Sequence, residues 1–246
     1  MKSTILISTF LASSTAAFAV LPQSWKSTLP SIRKDESATR IPTIPESAAM
    51  ARRILRKESI GTLSTVYNSN PTHPDIEGTP LGLMDYFADC EPTTGNPTLL
   101  GMHISSSFRN AAAGSNITLS IRWHPPTSTP YSAMSMPRFA LIGQVERIDY
   151  TDVFKNAIPL CYGRSHPDAV VWMPGNRIHE SFWMRLVVKE IYWLGGFGDR
   201  AFIGFIPLNI WQDVTEEDIE NIRLPGEEDK EESSLMHKWF DRRFEF

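Results

Sequence analysis

Residues 103–123 read HISSSFRNAAAGSNITLSIRW, and the periodicity of the chain changes twice inside them. The apolar run 99–104 that ends here reads as a strand. Residues 107–113 then have the composition of a short helix, closed near Gly114. From Ile117 to Trp123 apolar and polar side chains alternate without a break, which predicts a half-buried strand. The unit is therefore strand, tight entry, helix and strand, with three serines at the helix entry.

The same pattern continues in both directions. Upstream, a helix starts at Ser47, with Ala48, Ala49, Ala51, Ile54 and Leu55 on helical spacing, and ends at residues 58–61. Residues 61–66 and 81–87 read as strands around a polar loop. Downstream, 139–148 is a strand, and 152–160 a helix introduced by the cap candidate Thr151. Residues 181–194 form a long strand with Phe182, Met184, Leu186 and Val188 on one face. A turn at 195–198 and a return strand at 201–206 follow. Six or seven strands at hairpin-like spacing, with two or three short helices, predict a mainly β fold, a barrel with peripheral helices.

The two ends differ from this middle. Met1 and Lys2 precede an apolar run at 4–12 and an Ala17-Phe18-Ala19 close, so residues 1–19 read as a cleaved signal peptide. Residues 20–45 contain Pro22, Pro30, Pro42 and Pro45 without apolar period and read as an extended leader or propeptide. The barrel domain occupies 46–212, and an acidic C-terminal arm 213–246. Residues 213–232 of the arm hold ten acidic and two basic side chains, a pattern usually solvated. Beyond them Leu235, Met236, Trp239 and Phe240 share one face of a short helix.

The chain has 246 residues, 41% hydrophobic, with a net charge of −4. That composition excludes collagen, a disulfide-dense miniature scaffold and a wholly disordered chain. No global basic field exists to hold nucleic acid, and no apolar run reaches the ~20 residues of a membrane span. Secretory entry predicts an extracellular destination or the lumen of the endoplasmic reticulum, vacuole or lysosome. It also makes Asn116-Ile117-Thr118 a glycosylation sequon, whereas the triplets at Asn70 and Asn96 are excluded by a central proline. Cys90 and Cys161 allow one intramolecular disulfide or two buried thiols, because spacing alone does not supply a Cα separation.

Candidate chemistry concentrates at Ser105, Ser106, Ser107, Arg109 and Asn110. Hydroxyls, a guanidinium and free backbone N–H groups at a helix entry suit a phosphate, while ordinary capping is the plain alternative. The six histidines show no paired zinc spacing. No Gly-x-Ser-x-Gly elbow is present for a triad hydrolase. Asp85, Asp89 and Glu91 lack the periodicity of a calcium loop and read as a solvated loop.

Three stretches, residues 48–65, 103–123 and 179–199 with His166-Pro167 upstream, resemble the CREG family of secreted glycoproteins. That family lies within the pyridoxamine 5'-phosphate oxidase-like, FMN-binding split barrels. The resemblance implies a six-stranded split barrel that forms homodimers, with Ser105, Ser106, Ser107, Arg109 and Asn110 where enzymatic relatives hold the flavin phosphate. It also implies loss of flavin binding in the CREG branch, hence a non-enzymatic binding or regulatory glycoprotein. The alternative is an FMN-dependent oxidoreductase, with FMN as the anionic small molecule. A third reading follows from the 195–198 turn, which resembles haem-utilisation members of the superfamily that bind haem with a histidine; His179, opening the long strand, is a haem ligand on that reading and a satisfied polar residue on the plain one.

Overall fold

The computed structural model describes residues 40–68, 73–128 and 130–227; the expected signal peptide, most of the leader and the end of the arm lie outside them. Seven strands run β1 (Ile60–Val66), β2 (Pro80–Ala88), β3 (Thr98–Met102), β4 (Ile117–Arg122), β5 (Arg138–Arg147), β6 (Ser181–Leu194) and β7 (Ile203–Ile206). Six helices accompany them: α1 (Ile44–Lys57), α2 (Ser106–Ala112), α3 (Tyr150–Lys155), α4 (Ile158–Ser165), α5 (Leu208–Gln212) and α6 (Glu216–Asn221).

Strand order is β3-β2-β1-β4-β5-β6, and β3 pairs with β6 to close a six-stranded antiparallel barrel, with β7 outside it on β6. Closure removes the exposed edges of an open sheet. The length of β6 makes this possible. One edge takes β5 from Met184 to Leu194; the other takes β3 at Ser181–Arg185 and β7 at Ile191–Leu194. In the gap between β3 and β7, the Asn96 side-chain oxygen accepts from the Val188 N–H at 3.0 Å. Buried backbone donors need such partners wherever a ladder is interrupted.

The barrel interior holds Leu63, Phe87, Leu119, Leu141, Leu186 and Ile191, and Ala48, Ala51, Ile54 and Leu55 of α1 pack into the same cluster. Helix α1 starts earlier than its apolar spacing predicts. Thr43 caps it in a capping box with Glu46, and Pro45 sits in the first turn. Arg52 on this helix is fully buried; it donates to the carbonyls of Trp211 and Pro92 and lies 5.2 Å from the Trp211 ring. A second cluster, with Ala88, Leu100, Ile158, Tyr162 and Trp183, lies under α4. Cys90 and Cys161 are disulfide-bonded beside it, tying the end of β2 to α4.

Several expectations are corrected. The helix expected at 152–160 is two helices, because Ala157 adopts a left-handed backbone (φ 47°) and breaks it; Asp149, not Thr151, stands at the N-cap of α3. Strand β6 buries Leu186 and Val188 and then Ile191 and Trp193, a change of phase produced by a bulge against Ile142/Gly143. A Cβ on Gly143 would lie 2.0 Å from the Val187 carbonyl oxygen, so only glycine fits. The acidic cluster is not a solvated loop. The Asp89 side chain is 3% exposed beside Arg56, and the Glu91 side chain is 7% exposed and paired with Arg185 at 2.8 Å. The first part of the arm is folded, with its acidic side chains at 213–220 exposed: Thr215 caps α6, Ile219 and Leu224 are buried, and Glu227 pairs with Arg53. The rest of it, including Trp239 and Phe240, lies outside the described residues.

Candidate functional site

The serine-rich segment enters α2 directly from β3. Ser105 is the N-cap residue and its side chain caps no backbone N–H. Arg109 is exposed, and its Nη2 donates to Ser106 Oγ at 3.3 Å. Ser106 and Arg109 therefore bring a hydroxyl and a guanidinium together at the helix entry, with the half-buried Ser105 next to them in sequence, a donor set that fits a phosphate. Ser107 and Asn110 do not join it. Ser107 is 1% exposed, and Asn110 is buried, its Nδ2 donating to Thr65 Oγ1 on β1 at 3.0 Å. The helical period explains the split: α2 needs one face against the barrel, and Ser107, Phe108 and Asn110 are that face.

Asn116 is exposed between α2 and β4, a position open to a glycan. His179 is half-buried ahead of β6, its backbone N–H held by Asn176 Oδ1 at 2.8 Å. Among the described residues no group of three or more His, Cys, Asp or Glu is set to hold a metal ion. No helix among them is long and apolar enough to cross a membrane.

A polar cluster that spacing did not reveal sits where β2 and β3 diverge. The two strands pair only at Phe87↔Leu99 and Ala88↔Thr98. Beyond that point the Tyr162 hydroxyl donates to the Tyr86 carbonyl at 3.3 Å, and it also bonds the Leu100 backbone. His166, 3% exposed, stacks on the Tyr86 ring at 4.1 Å and meets the Phe87 carbonyl at 2.9 Å through Nε2. That nitrogen must carry the proton, since a carbonyl only accepts. Asp85 lies next to them; burial raises its carboxyl to about 6, against a lowering bond from the Tyr86 N–H. Burial also raises the Tyr162 hydroxyl. The residues come from β2, α4 and the turn after it, so no local pattern joins them.

The CREG β-barrel model matches residues 42–213. The chain belongs to the CREG β-barrel family. No curated protein matches it in sequence. Among solved structures, a haem-binding protein from Mycobacterium smegmatis is similar, with a TM-score of 0.53 at 19% identity. The match covers 70% of this chain and 60% of that one, so the chain spans less than two thirds of that protein. The haem storage protein HutZ of Vibrio cholerae gives 0.43 at 12% identity, covering 65% of this chain and 99% of its own. A pyridoxamine 5'-phosphate oxidase-type protein from Listeria innocua, itself named only by resemblance, gives 0.40 at 12% identity over 61% and 98%. These are likenesses of fold. They say nothing of the chain's chemistry, which rests on its own residues.

Proposed function

We propose that this CREG-family chain is a secretory-pathway glycoprotein that works as a homodimer by binding rather than by catalysis. One observation carries the reading: the segment that would hold a flavin phosphate turns Ser107 and Asn110 into the barrel wall, with Asn110 bonded to Thr65. Three donors remain where five polar side chains were available. The Cys90–Cys161 disulfide supports passage through an oxidising compartment, and the exposure of Asn116 supports its glycosylation. The destination proposed is extracellular, or the lumen of the endoplasmic reticulum, vacuole or lysosome.

The test is spectroscopic. Protein secreted by a eukaryotic host is expected to be colourless, to take up no FMN from a titration, and to sediment as a dimer. Asn116→Gln is expected to remove the mobility shift that an endoglycosidase removes from the parent protein. Copurified FMN would overturn the binding reading. The second reading, an FMN-dependent oxidoreductase, is favoured by the Arg109–Ser106 contact at the α2 entry. The flavin, when bound, would supply the hydride chemistry through its own ring. In that case Arg109→Ala should weaken FMN binding at least tenfold. A Soret band lost in His179→Ala would instead favour the haem reading.

A further inference from the structure

The outer wall of the barrel carries a groove of about 480 Å³, which shares no residue with the serine segment. Strand register builds it. Met84, Thr62, Ser120 and Ala140 are successive cross-strand partners along β2, β1, β4 and β5. Small side chains there leave a trough beside the exposed Met84 and Ile60. In the adjoining row Arg122 lies directly opposite Arg138, and Arg138 opposite Leu194.

Like charges directly opposite on a sheet face repel. Among the described residues neither arginine is paired with a carboxylate. Arg138 Nη1 donates to the Met134 carbonyl at 3.2 Å, and Arg122 Nε and Nη2 lie 3.0 and 2.7 Å from His124 Nε2. A guanidinium only donates, so His124 Nε2 presents its lone pair and Nδ1 carries the proton. That proton points to Glu58 Oε2 at 3.0 Å, while Oε1 accepts from the His124 backbone N–H at 2.7 Å. Glu58 is thereby committed to orienting the imidazole, and the imidazole holds the Arg122 fork. The result is a positioned pair of cations at one end of an apolar trough, with the Glu58 carboxylate behind the imidazole and, among the described residues, no carboxylate in contact with either guanidinium.

We propose that this groove binds a small amphipathic anion, a phosphate monoester or carboxylate on an apolar body. Arg122 and Arg138 grip the anion. The Thr62 and Ser120 hydroxyls line its flank, and Ile60, Met84 and Leu194 receive the apolar part. The volume lies within the range of small-molecule pockets. The same chemistry exists in the chain's own arm. Trp123, the buried neighbour of Arg122 in sequence, donates through Nε1 to the Pro225 carbonyl at 2.8 Å, and Glu228, Asp229, Glu231 and Glu232 follow in sequence. The experiment separates the two sources.

Phenyl phosphate is titrated calorimetrically into the full secreted chain. Saturable binding at least tenfold tighter than that of inorganic phosphate is expected. Arg138→Gln should weaken it at least tenfold, Arg138→Lys should retain most of it, and Arg164→Ala, at an exposed position on α4, should leave it unchanged. Met84→Glu, at an exposed position, gives a second variant that repels the anion and should also cost at least tenfold. Absence of saturable binding, or equal binding by Arg138→Gln and Met84→Glu, would overturn the proposal. So would binding that emerges only when Glu228, Asp229, Glu231 and Glu232 are neutralised together, which would make the arm the occupant. If Arg138→Gln and Met84→Glu instead dissociate the protein and no ligand binds, the groove is an interface between copies and the proposal fails.

Discussion

Arg53 of α1 and Glu227, beyond the last helix, form a two-point ion pair: Nε to Oε2 at 2.9 Å and Nη2 to Oε1 at 2.6 Å. Lys57 adds a third contact to Glu227 at 2.8 Å, and Arg53 Nη1 also donates to the Ile219 carbonyl at 2.6 Å. Helix α1 is thus tied by charge to the segment after α6, and to α6 itself through the Ile219 carbonyl and the burial of Ile219.

Removing one partner of this pair should be costly, because the side chains of Arg53 and Glu227 are only 11% and 9% exposed. Glu227→Ala is expected to destabilise by about 3 kcal/mol, read from urea unfolding at neutral pH. Burial alone would raise the Glu227 carboxyl, but bonds from Arg53, Lys57 and the Leu224 N–H outweigh it and bring it to about 2. A depressed carboxyl means that the folded state holds fewer protons, so its contribution is complete above about 4.5 and fades as pH falls towards about 2. Glu227→Gln should flatten that acid limb; an unchanged limb would contradict the assignment.

Asp85 acts with the opposite sign. Its carboxyl is raised from 3.8 to about 6, first by burial, so the folded state holds the proton longer and stability declines as pH rises across that interval. Asp85→Asn is expected to stabilise the protein by about 2 kcal/mol at pH 7.5 and to change little at pH 3.5. Denaturant melts at the two pH values check this.

The disulfide closes a loop between cysteines 71 positions apart. On the chain-entropy account its loss costs about 4 kcal/mol. Cys90→Ser with Cys161→Ser should therefore lower the thermal midpoint sharply, and reductant should do the same to the parent protein but not to the double variant.

Gly143→Ala should be among the most damaging single-methyl additions in the barrel. The new Cβ would fall on the Val187 carbonyl oxygen, a backbone atom without a rotamer to escape into. A loss above about 3 kcal/mol is expected. A near-neutral effect would show that the bulge can be rebuilt without glycine.

Local periodicity located the elements that bury one face against one layer. The alternation from Ile117 captured β4, and the long apolar run captured β6 at Ser181–Leu194. Composition at 103–113 located a short helix entered through serines, within one residue of α2. It could not say which serines face outward. Ser107 is turned inward because α2 lies on the barrel, and Asn110 meets Thr65 from a strand 45 positions earlier. The grip of Glu58 on His124, and through it on Arg122, likewise depends on α1 ending beside β4.

By itself the amino-acid order determined the strands, the helices before β1 and after β3, the family resemblance, the candidate phosphate segment and the sequon, since each is written in neighbouring residues; it did not show α5 and α6. Tertiary structure alone decided how the barrel closes, where β6 changes phase, that Cys90 meets Cys161, and that Asp89 and Glu91 are buried against arginines. Those outcomes depend on partners far apart in the chain. A periodic pattern records that a face is buried; it does not record which distant segment covers it.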